Sequence, residues 1–305
     1  MNAGRKVYHL HVLEMLKQAG ISRMRPLITV VFIAIIAAFS TAFSGGRPAL
    51  AAPDEIEIPA GDIKLRAFIY RPEGKGPFPA VVALHDCNGL SGRSGPIAVR
   101  YRDWGERLSA AGLVVLFPDS FGSRGVQSQC SASTRTVRTW RERVSDTNAA
   151  RQWLQDQSWI AADRVSALGW ANGGIVALWA IRRQAAPPDK SPDFRSAVAF
   201  YPGCRRLAET AWSGRAPALI LSGSVDDWSP ASVCEQVIAG ARGRSARASI
   251  IIYPGAHHDF DHPNRPLRQQ SGLGFTVDAS GRAHSGTDPA ARADAIKRVP
   301  EWLLR

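Results

Sequence analysis

Apolar and polar positions follow one another in two different ways along the chain. Residues 55–58 and 63–70 show the alternation of half-exposed antiparallel strands, with a Pro-Ala-Gly-Asp turn between them. From residue 80 onward, short continuous apolar runs alternate with longer stretches of mixed polarity. This pattern predicts buried strands separated by helices. The predicted strands cover residues 80–84, 113–117, 164–168, 197–201, 218–221 and 249–253, and the predicted helices cover 102–111, 137–154, 175–181, 231–241 and 289–304.

Repeated strand–helix units determine the expected fold class. They predict an α/β protein with a mostly parallel central sheet and helices on both faces, a three-layer sandwich. Asp288 before Pro289 is expected to cap the closing helix. No linker or internal repeat divides residues 52–305, so we expect a single domain there.

The first 51 residues have a different composition. Two arginines precede an apolar run at residues 27–39, and Ala-Leu-Ala follows at 49–51. Basic, apolar and small residues in this order predict a signal peptide cleaved after Ala51, although the run could also serve as an uncleaved membrane anchor. The lack of basic residues directly after the run favours cleavage, and Met24 is an alternative start. We expect a mature chain from Ala52, without stable membrane insertion, in the periplasm or outside the cell.

The 305 residues carry a net charge of +12. The leader holds six basic residues against one acidic residue, so +5 of this charge belongs to it. The remaining arginines are scattered, and no block is dense enough for a nucleic-acid-binding arm. We therefore expect no nucleic-acid partner.

Four cysteines in an exported chain predict disulfides. Four cysteines allow three pairings, and four free buried thiols are the alternative. Cys204 ends one predicted strand and Cys234 lies in the helix after the neighbouring strand, so this pair is geometrically plausible. Cys87 with Cys130 would then join two loops at the same edge of the sheet.

The stretch after the 164–168 strand has the layout of a nucleophile elbow. The elbow is a strand, a tight turn flanked by glycines and a helix, with the signature G-x-S-x-G. Here Gly169 and Gly173 frame the turn, and Ala171 occupies the nucleophile position. A methyl group cannot attack a carbonyl. The backbone N–H of the next residue, Asn172, would be one donor of an oxyanion hole.

An acid and a histidine should follow the elbow, in that order and at strand ends. Asp226 and Asp227 come directly after the 218–221 strand, and His257 and His258 come after the 249–253 strand. Because the carboxyl ends of parallel strands converge, these loops can meet the elbow. Spacing favours Asp226 over Asp227 and His258 over His257, with both alternatives left open. The loop after the 80–84 strand would supply the second oxyanion N–H.

These loops resemble the dienelactone hydrolases. The matching stretches are HDCNGL at 85–90, PDSFGSRG at 118–125, GWANGG at 169–174, DDWSP at 226–230 and GAHHDF at 255–260, and the resemblance runs from about residue 56 to the C-terminus.

The resemblance implies an α/β-hydrolase fold and cleavage of a small-molecule ester or lactone without a cofactor. Asp226 matches the family's acid and His258 its base, while the N–H groups of Cys87 and Asn172 match the oxyanion donors. Asp86 matches an acidic residue that the family places beside the nucleophile. We expect a monomer.

Three further residues are candidates for substrate contacts. Arg124 follows the 113–117 strand, and its guanidinium could select anionic substrates, with a structural salt bridge as the alternative. Trp170 and Trp228 flank the predicted catalytic positions, and a place in the core or in the pocket wall is the simpler role for Trp170. The histidines and aspartates of 257–262 lie on a loop without the helical spacing of a metal motif, so we expect no metal.

Ala171 leaves two interpretations open. The chain is either a hydrolase whose nucleophile has been replaced or a pseudoenzyme that binds its ligand without turnover. The retained acid and histidine loops favour the first, or a recent loss. Attack by Cys87 instead is disfavoured by its oxyanion-side position and expected disulfide.

Overall fold

Eight strands form the central sheet. They are β1 Asp54–Ala60, β2 Ile63–Tyr70, β3 Phe78–Leu84, β4 Val114–Pro118, β5 Ile160–Trp170, β6 Ala197–Phe200, β7 Ala218–Gly223 and β8 Ala248–Tyr253. Their order across the sheet is β1-β2-β4-β3-β5-β6-β7-β8. β2 pairs antiparallel with both β1 and β4, and every other pair is parallel. The computed structural model describes residues 52–93, 95–185 and 191–305, which belong to one compact unit.

Helices and a small hairpin complete the described chain. The helices are α1 Val99–Ala110, α2 Glu142–Gln155, α3 Asn172–Ala180, α4 Arg205–Glu209, α5 Ala231–Ala241 and α6 Pro289–Leu303, and the hairpin pairs β9 Arg268–Gln270 with β10 Ala283–Ser285. The Asp288 side chain accepts a 2.8 Å hydrogen bond from the N–H of Ala291, so it caps α6 as its sequence position predicts.

The buried strands divide their side chains between two cores. In β3, Val81 and Ala83 face one side of the sheet, while Ala80, Val82 and Leu84 face the other. Helices α2, α3 and α5 contribute to the second core, and α1 and α6 contribute to the first. The predicted three-layer α/β sandwich is therefore confirmed.

The differences from the predicted elements are confined to ends and short pieces. The helix expected at 137–154 begins only at Glu142, and the strand expected at 164–168 extends back to Ile160. Helix α4 has five residues and β9 and β10 have three each, so none of them is long enough to produce a periodic pattern.

Both expected disulfides are present. Cys87 pairs with Cys130, and Cys204 pairs with Cys234. The first joins the loops after β3 and β4, and the second joins the start of α4 to α5.

The predicted signal peptide, residues 1–51, lies outside the described residues. From residue 52 on, where the structure describes the chain, no helix is both long enough and apolar enough to cross a bilayer.

Candidate active site

The turn between β5 and α3 has the strained backbone of an elbow. Ala171 lies between them with φ 47° and ψ −107°, a region that non-glycine residues rarely adopt. A Cβ on Gly169 would lie 2.1 Å from the carbonyl oxygen of Gly173. A Cβ on Gly173 would lie 1.9 Å from the carbonyl oxygen of Leu84. Only glycine fits at either position, so the turn packs directly against the end of β3.

An aspartate and a histidine pair beside this turn. Asp226 follows β7 and His258 follows β8, and both side chains are buried. The Nδ1 of His258 donates to Asp226 Oδ2 at 2.8 Å. The other carboxylate oxygen accepts from the N–H groups of Trp228 at 2.9 Å and Ser229 at 2.8 Å. Because Nδ1 carries the proton toward Asp226, Nε2 is left as the basic nitrogen.

The charge of Asp226 also sets the basicity of His258. Burial by itself lowers the pKa of the imidazole, but attraction to the Asp226 carboxylate and the hydrogen bond to it outweigh burial. The pKa of His258 therefore lies above its ordinary value of 6.5. This combination suits a general base that becomes an imidazolium stabilised by the carboxylate.

The neighbouring aspartate and histidine have other partners. Asp227 Oδ2 accepts from His284 Nδ1 at 2.7 Å, and both side chains are partly exposed. The ring of His257 lies 5.6 Å from that of His284. Of the alternatives that spacing left open, the structure pairs Asp226 with His258.

The two expected oxyanion donors lie on segments that are in close contact. Asn172 is the first residue of α3, where the backbone N–H groups of a helix have no partner within it. Cys87 lies three residues beyond the end of β3, which contacts the elbow at Gly173. Its loop is held by the disulfide and by a 2.8 Å hydrogen bond from the N–H of Gln129 to the Cys87 carbonyl.

A cavity of about 590 Å³ opens above these groups. Its lining includes Ala171, His258, Asp86, Cys87 and Trp228, which the sequence selected as site residues. This volume is typical of a pocket for a small organic ligand.

One wall of the cavity comes from the segment between the base loop and α6. We call residues 264–287 the outer wall, and Arg268, Gln270 and Leu273 are among its lining residues. The Trp228 Nε1 donates to the carbonyl of Phe275 at 2.9 Å. The N–H of Gly274 donates to the Cys130 carbonyl at 2.8 Å, and the N–H of Gly286 donates to the His258 carbonyl at 2.9 Å. The outer wall is thus attached to the acid loop, the base loop and the loop that carries Cys130.

Two of the expected substrate contacts lie elsewhere. Arg124 makes a bidentate pair with Asp146, both bonds 2.8 Å, and is not among the lining residues of the cavity. This corrects the expectation that Arg124 selects anionic substrates, because its guanidinium is committed to a structural salt bridge. Trp170 is fully buried below the elbow, where its Nε1 donates to Asp261 at 2.8 Å, so it is core and not pocket wall.

A buried polar network that the sequence did not reveal supports the base loop. Arg100 donates to Asp259 at 2.6 Å, to Tyr201 at 3.0 Å and to Asp86 at 3.4 Å. Asp261 accepts from Trp104, Trp170 and the Tyr201 hydroxyl. Asp259 is the next residue after His258 and Asp261 lies two residues further on, so their partners fix the loop that carries the base. Throughout the ranges that the structure describes, no three His, Cys, Asp or Glu side chains are arranged to hold a metal ion.

Comparison with known proteins finds relatives that match most of the chain. A Yersinia pestis protein named as a carboxymethylenebutenolidase is 25% identical over 227 residues, covering 70% of this chain and 80% of that protein. A Bradyrhizobium protein named as a 2-oxo-3-(5-oxofuran-2-ylidene)propanoate lactonase is 25% identical over 244 residues, covering 74% and 92%.

The fold is shared with solved structures. A Klebsiella pneumoniae protein named as a dienelactone hydrolase superposes with a TM-score of 0.62 at 20% identity, covering 83% of this chain and 98% of that structure. The dienelactone hydrolase family itself matches residues 65–305. This chain therefore belongs to the dienelactone hydrolase family.

Proposed function

We propose that the cavity is the site of a carboxylic-ester or lactone hydrolase in which Ala171 stands at the nucleophile position. The observation that carries this proposal is the buried Asp226–His258 pair beside an elbow that keeps its strained backbone. Strain of this kind costs on the order of 1–3 kcal/mol and persists where the surrounding structure enforces it.

The expected chemistry follows from the placement of each group. The substrate carbonyl lies over Ala171, and the N–H groups of Cys87 and Asn172 receive its oxygen. In a chain with a hydroxyl at position 171, His258 Nε2 takes the hydroxyl proton during attack and returns it to the leaving oxygen. Without that hydroxyl, no acyl-enzyme forms. His258 can then act only on water, and the remaining groups sustain roughly 10³–10⁴-fold acceleration over the uncatalysed reaction, as in hydrolases that lack a triad member.

A second candidate function is favoured by Ala171 itself. A methyl group at the reacting position suits a binding protein that holds a small ester, lactone or carboxylate without turnover. The cavity volume and its polar lining serve either function.

The test restores the missing atom and uses neighbouring residues as controls. Hydrolysis of p-nitrophenyl acetate and of a small lactone is measured for the native chain and for Ala171→Ser. The same assay is run for Ala171→Ser combined with His258→Ala, and for Ala171→Ser combined with His257→Ala. We expect activity in the single variant that disappears with His258→Ala and persists with His257→Ala, because only His258 is paired with Asp226. No gain on any short ester or lactone would favour the binding function.

We also propose that the protein is exported. The two disulfides support an oxidising compartment. Intact-mass analysis of the exported protein should show a chain that begins at Ala52 and lacks four hydrogens relative to the fully reduced mass. A mass that retains residues 27–39 would favour the membrane anchor.

A further inference from the structure

One buried arginine contacts both segments that carry the expected oxyanion donors. Arg143, on the first turn of α2, has no exposed surface. One guanidinium nitrogen donates to the carbonyl of His85 at 2.9 Å, two residues before Cys87. Another donates to the side-chain oxygen of Asn172. A single planar group therefore ties the loop after β3 to the start of α3.

The donor-only chemistry of arginine fixes the orientation of the Asn172 side chain. A guanidinium has five N–H donors and no acceptor, so the amide oxygen of Asn172 must face it. The guanidinium in turn lies over the ring of Phe121, 5.2 Å from its centroid, in a cation–π contact. Asn172 is thus held through both its side chain and its helix, which limits the movement of its backbone N–H.

Arg143 also places a positive charge behind these donors. Among the described residues no carboxylate forms an ion pair with it, and the nearby Asp146 pairs with Arg124. Burial lowers the pKa of Arg143 to about 10, with attraction to Asp146 opposing this effect, so the guanidinium stays charged at neutral pH. A buried cation without a direct counter-ion strengthens the attraction of the site for a negative oxygen.

We propose that Arg143 is a positioning residue of the oxyanion hole. It holds the segments of Cys87 and Asn172 together, and it biases the site toward anionic oxygen atoms. This inference rests on the proposed function only in that these two N–H groups are the oxyanion donors.

The test needs a matched control, and the chain offers one on the same helix. Arg151 is also fully buried on α2, and its guanidinium lies 5.7 Å from the ring centroid of Phe194, away from the cavity. Arg143→Met and Arg151→Met therefore each remove one buried guanidinium from the same helix. Urea unfolding and circular dichroism establish that each variant is folded.

Two measurements separate positioning from general stability. In the Ala171→Ser background, we expect Arg143→Met to lower kcat by roughly ten- to a hundredfold, less than the 10²–10³ for losing an oxyanion donor outright, with KM changed little. In the native chain, we expect Arg143→Met to weaken binding of butyrate but not of butyramide. Arg151→Met should change neither.

The outcomes that overturn the inference are equally definite. They are equal losses for butyrate and butyramide, or a kcat loss in Arg151→Met that matches that of Arg143→Met. If Arg143→Met does not fold, Arg143→Lys replaces it. Lysine keeps the charge but cannot bridge both acceptors, so kcat should fall about tenfold. An unchanged kcat in Arg143→Lys overturns the proposal. If Ala171→Ser is inactive in every variant, the hydrolase function fails, whereas the butyrate–butyramide comparison still tests Arg143.

Discussion

Removing the two disulfides one at a time should show that both stabilise the fold but that only Cys87–Cys130 also supports the cavity. Cys87–Cys130 spans 43 residues, and Cys204–Cys234 spans 30. Loop-closure entropy in the unfolded chain then predicts losses of about 4.0 and about 3.6 kcal/mol in the free energy of unfolding. Each is a large part of the roughly 5–15 kcal/mol typical of a folded domain.

The two crosslinks differ in what they hold. Cys87 and Cys130 both line the cavity, and the outer wall hydrogen-bonds to Cys130 through Gly274. Cys204 and Cys234 are buried in the core that packs under α5, and neither lines the cavity. Similar losses of stability should therefore accompany different losses of function.

The experiment compares two double variants, Cys87→Ala with Cys130→Ala and Cys204→Ala with Cys234→Ala. Urea unfolding at constant pH gives the change in stability, and calorimetric titration with butyrate, below the unfolding transition, gives ligand affinity. We expect losses of about 3–4 kcal/mol in both variants, but weaker butyrate binding only in the first. Equal weakening of binding in both variants, or unchanged binding in the first, would refute the assignment of Cys87–Cys130 to the site.

Two further predictions follow from the backbone and from buried charge. Ala171→Gly should stabilise the fold by about 1 kcal/mol. Relief of about 1–3 kcal/mol of backbone strain exceeds the roughly 0.4–1 kcal/mol lost because glycine makes the unfolded chain more flexible. A loss of stability in urea unfolding would contradict the strain at Ala171. Burial and then the charges of Arg100 and Arg265 lower the pKa of His262 to about 3, so the unfolded chain takes up this proton first as the pH falls. The free energy of unfolding should therefore decrease from pH 6.5 toward pH 3, and less steeply in His262→Gln, which a titration of stability against pH checks.

The sequence predicts the fold and much of the site because both depend on strand ends. Fully buried strands such as β3 and β7 produce continuous apolar runs, and the residues just after a run lie at the carboxyl edge of the sheet. Together with the elbow pattern, that rule selects Ala171, Asp226 and His258. The structure places Ala171 and His258 in the wall of one cavity and pairs His258 with the buried Asp226.

The buried arginines were not predictable in the same way. Arg100 and Arg143 lie on helices, and their partners lie up to 159 residues away in the chain. A charged residue in a helical stretch ordinarily indicates a solvated face, so no local pattern distinguishes these two. For Arg124 the prediction of a substrate contact was wrong for the opposite reason. Its loop lies at the carboxyl edge of the sheet, as predicted, but its guanidinium is paired with Asp146 and does not line the cavity.

The attachment of the outer wall links the admission of a ligand to the chemistry that would act on it. The wall is hydrogen-bonded to Trp228 beside the acid, to the carbonyl of His258 and to Cys130 across the cavity. Moving it outward to admit a bulky ligand would break these three hydrogen bonds together, including the one to the backbone carbonyl of His258. A ligand too large for the cavity would have to displace contacts of the acid loop, the base loop and the loop that carries Cys130. The hydrogen bonds that shape the cavity therefore also oppose its widening.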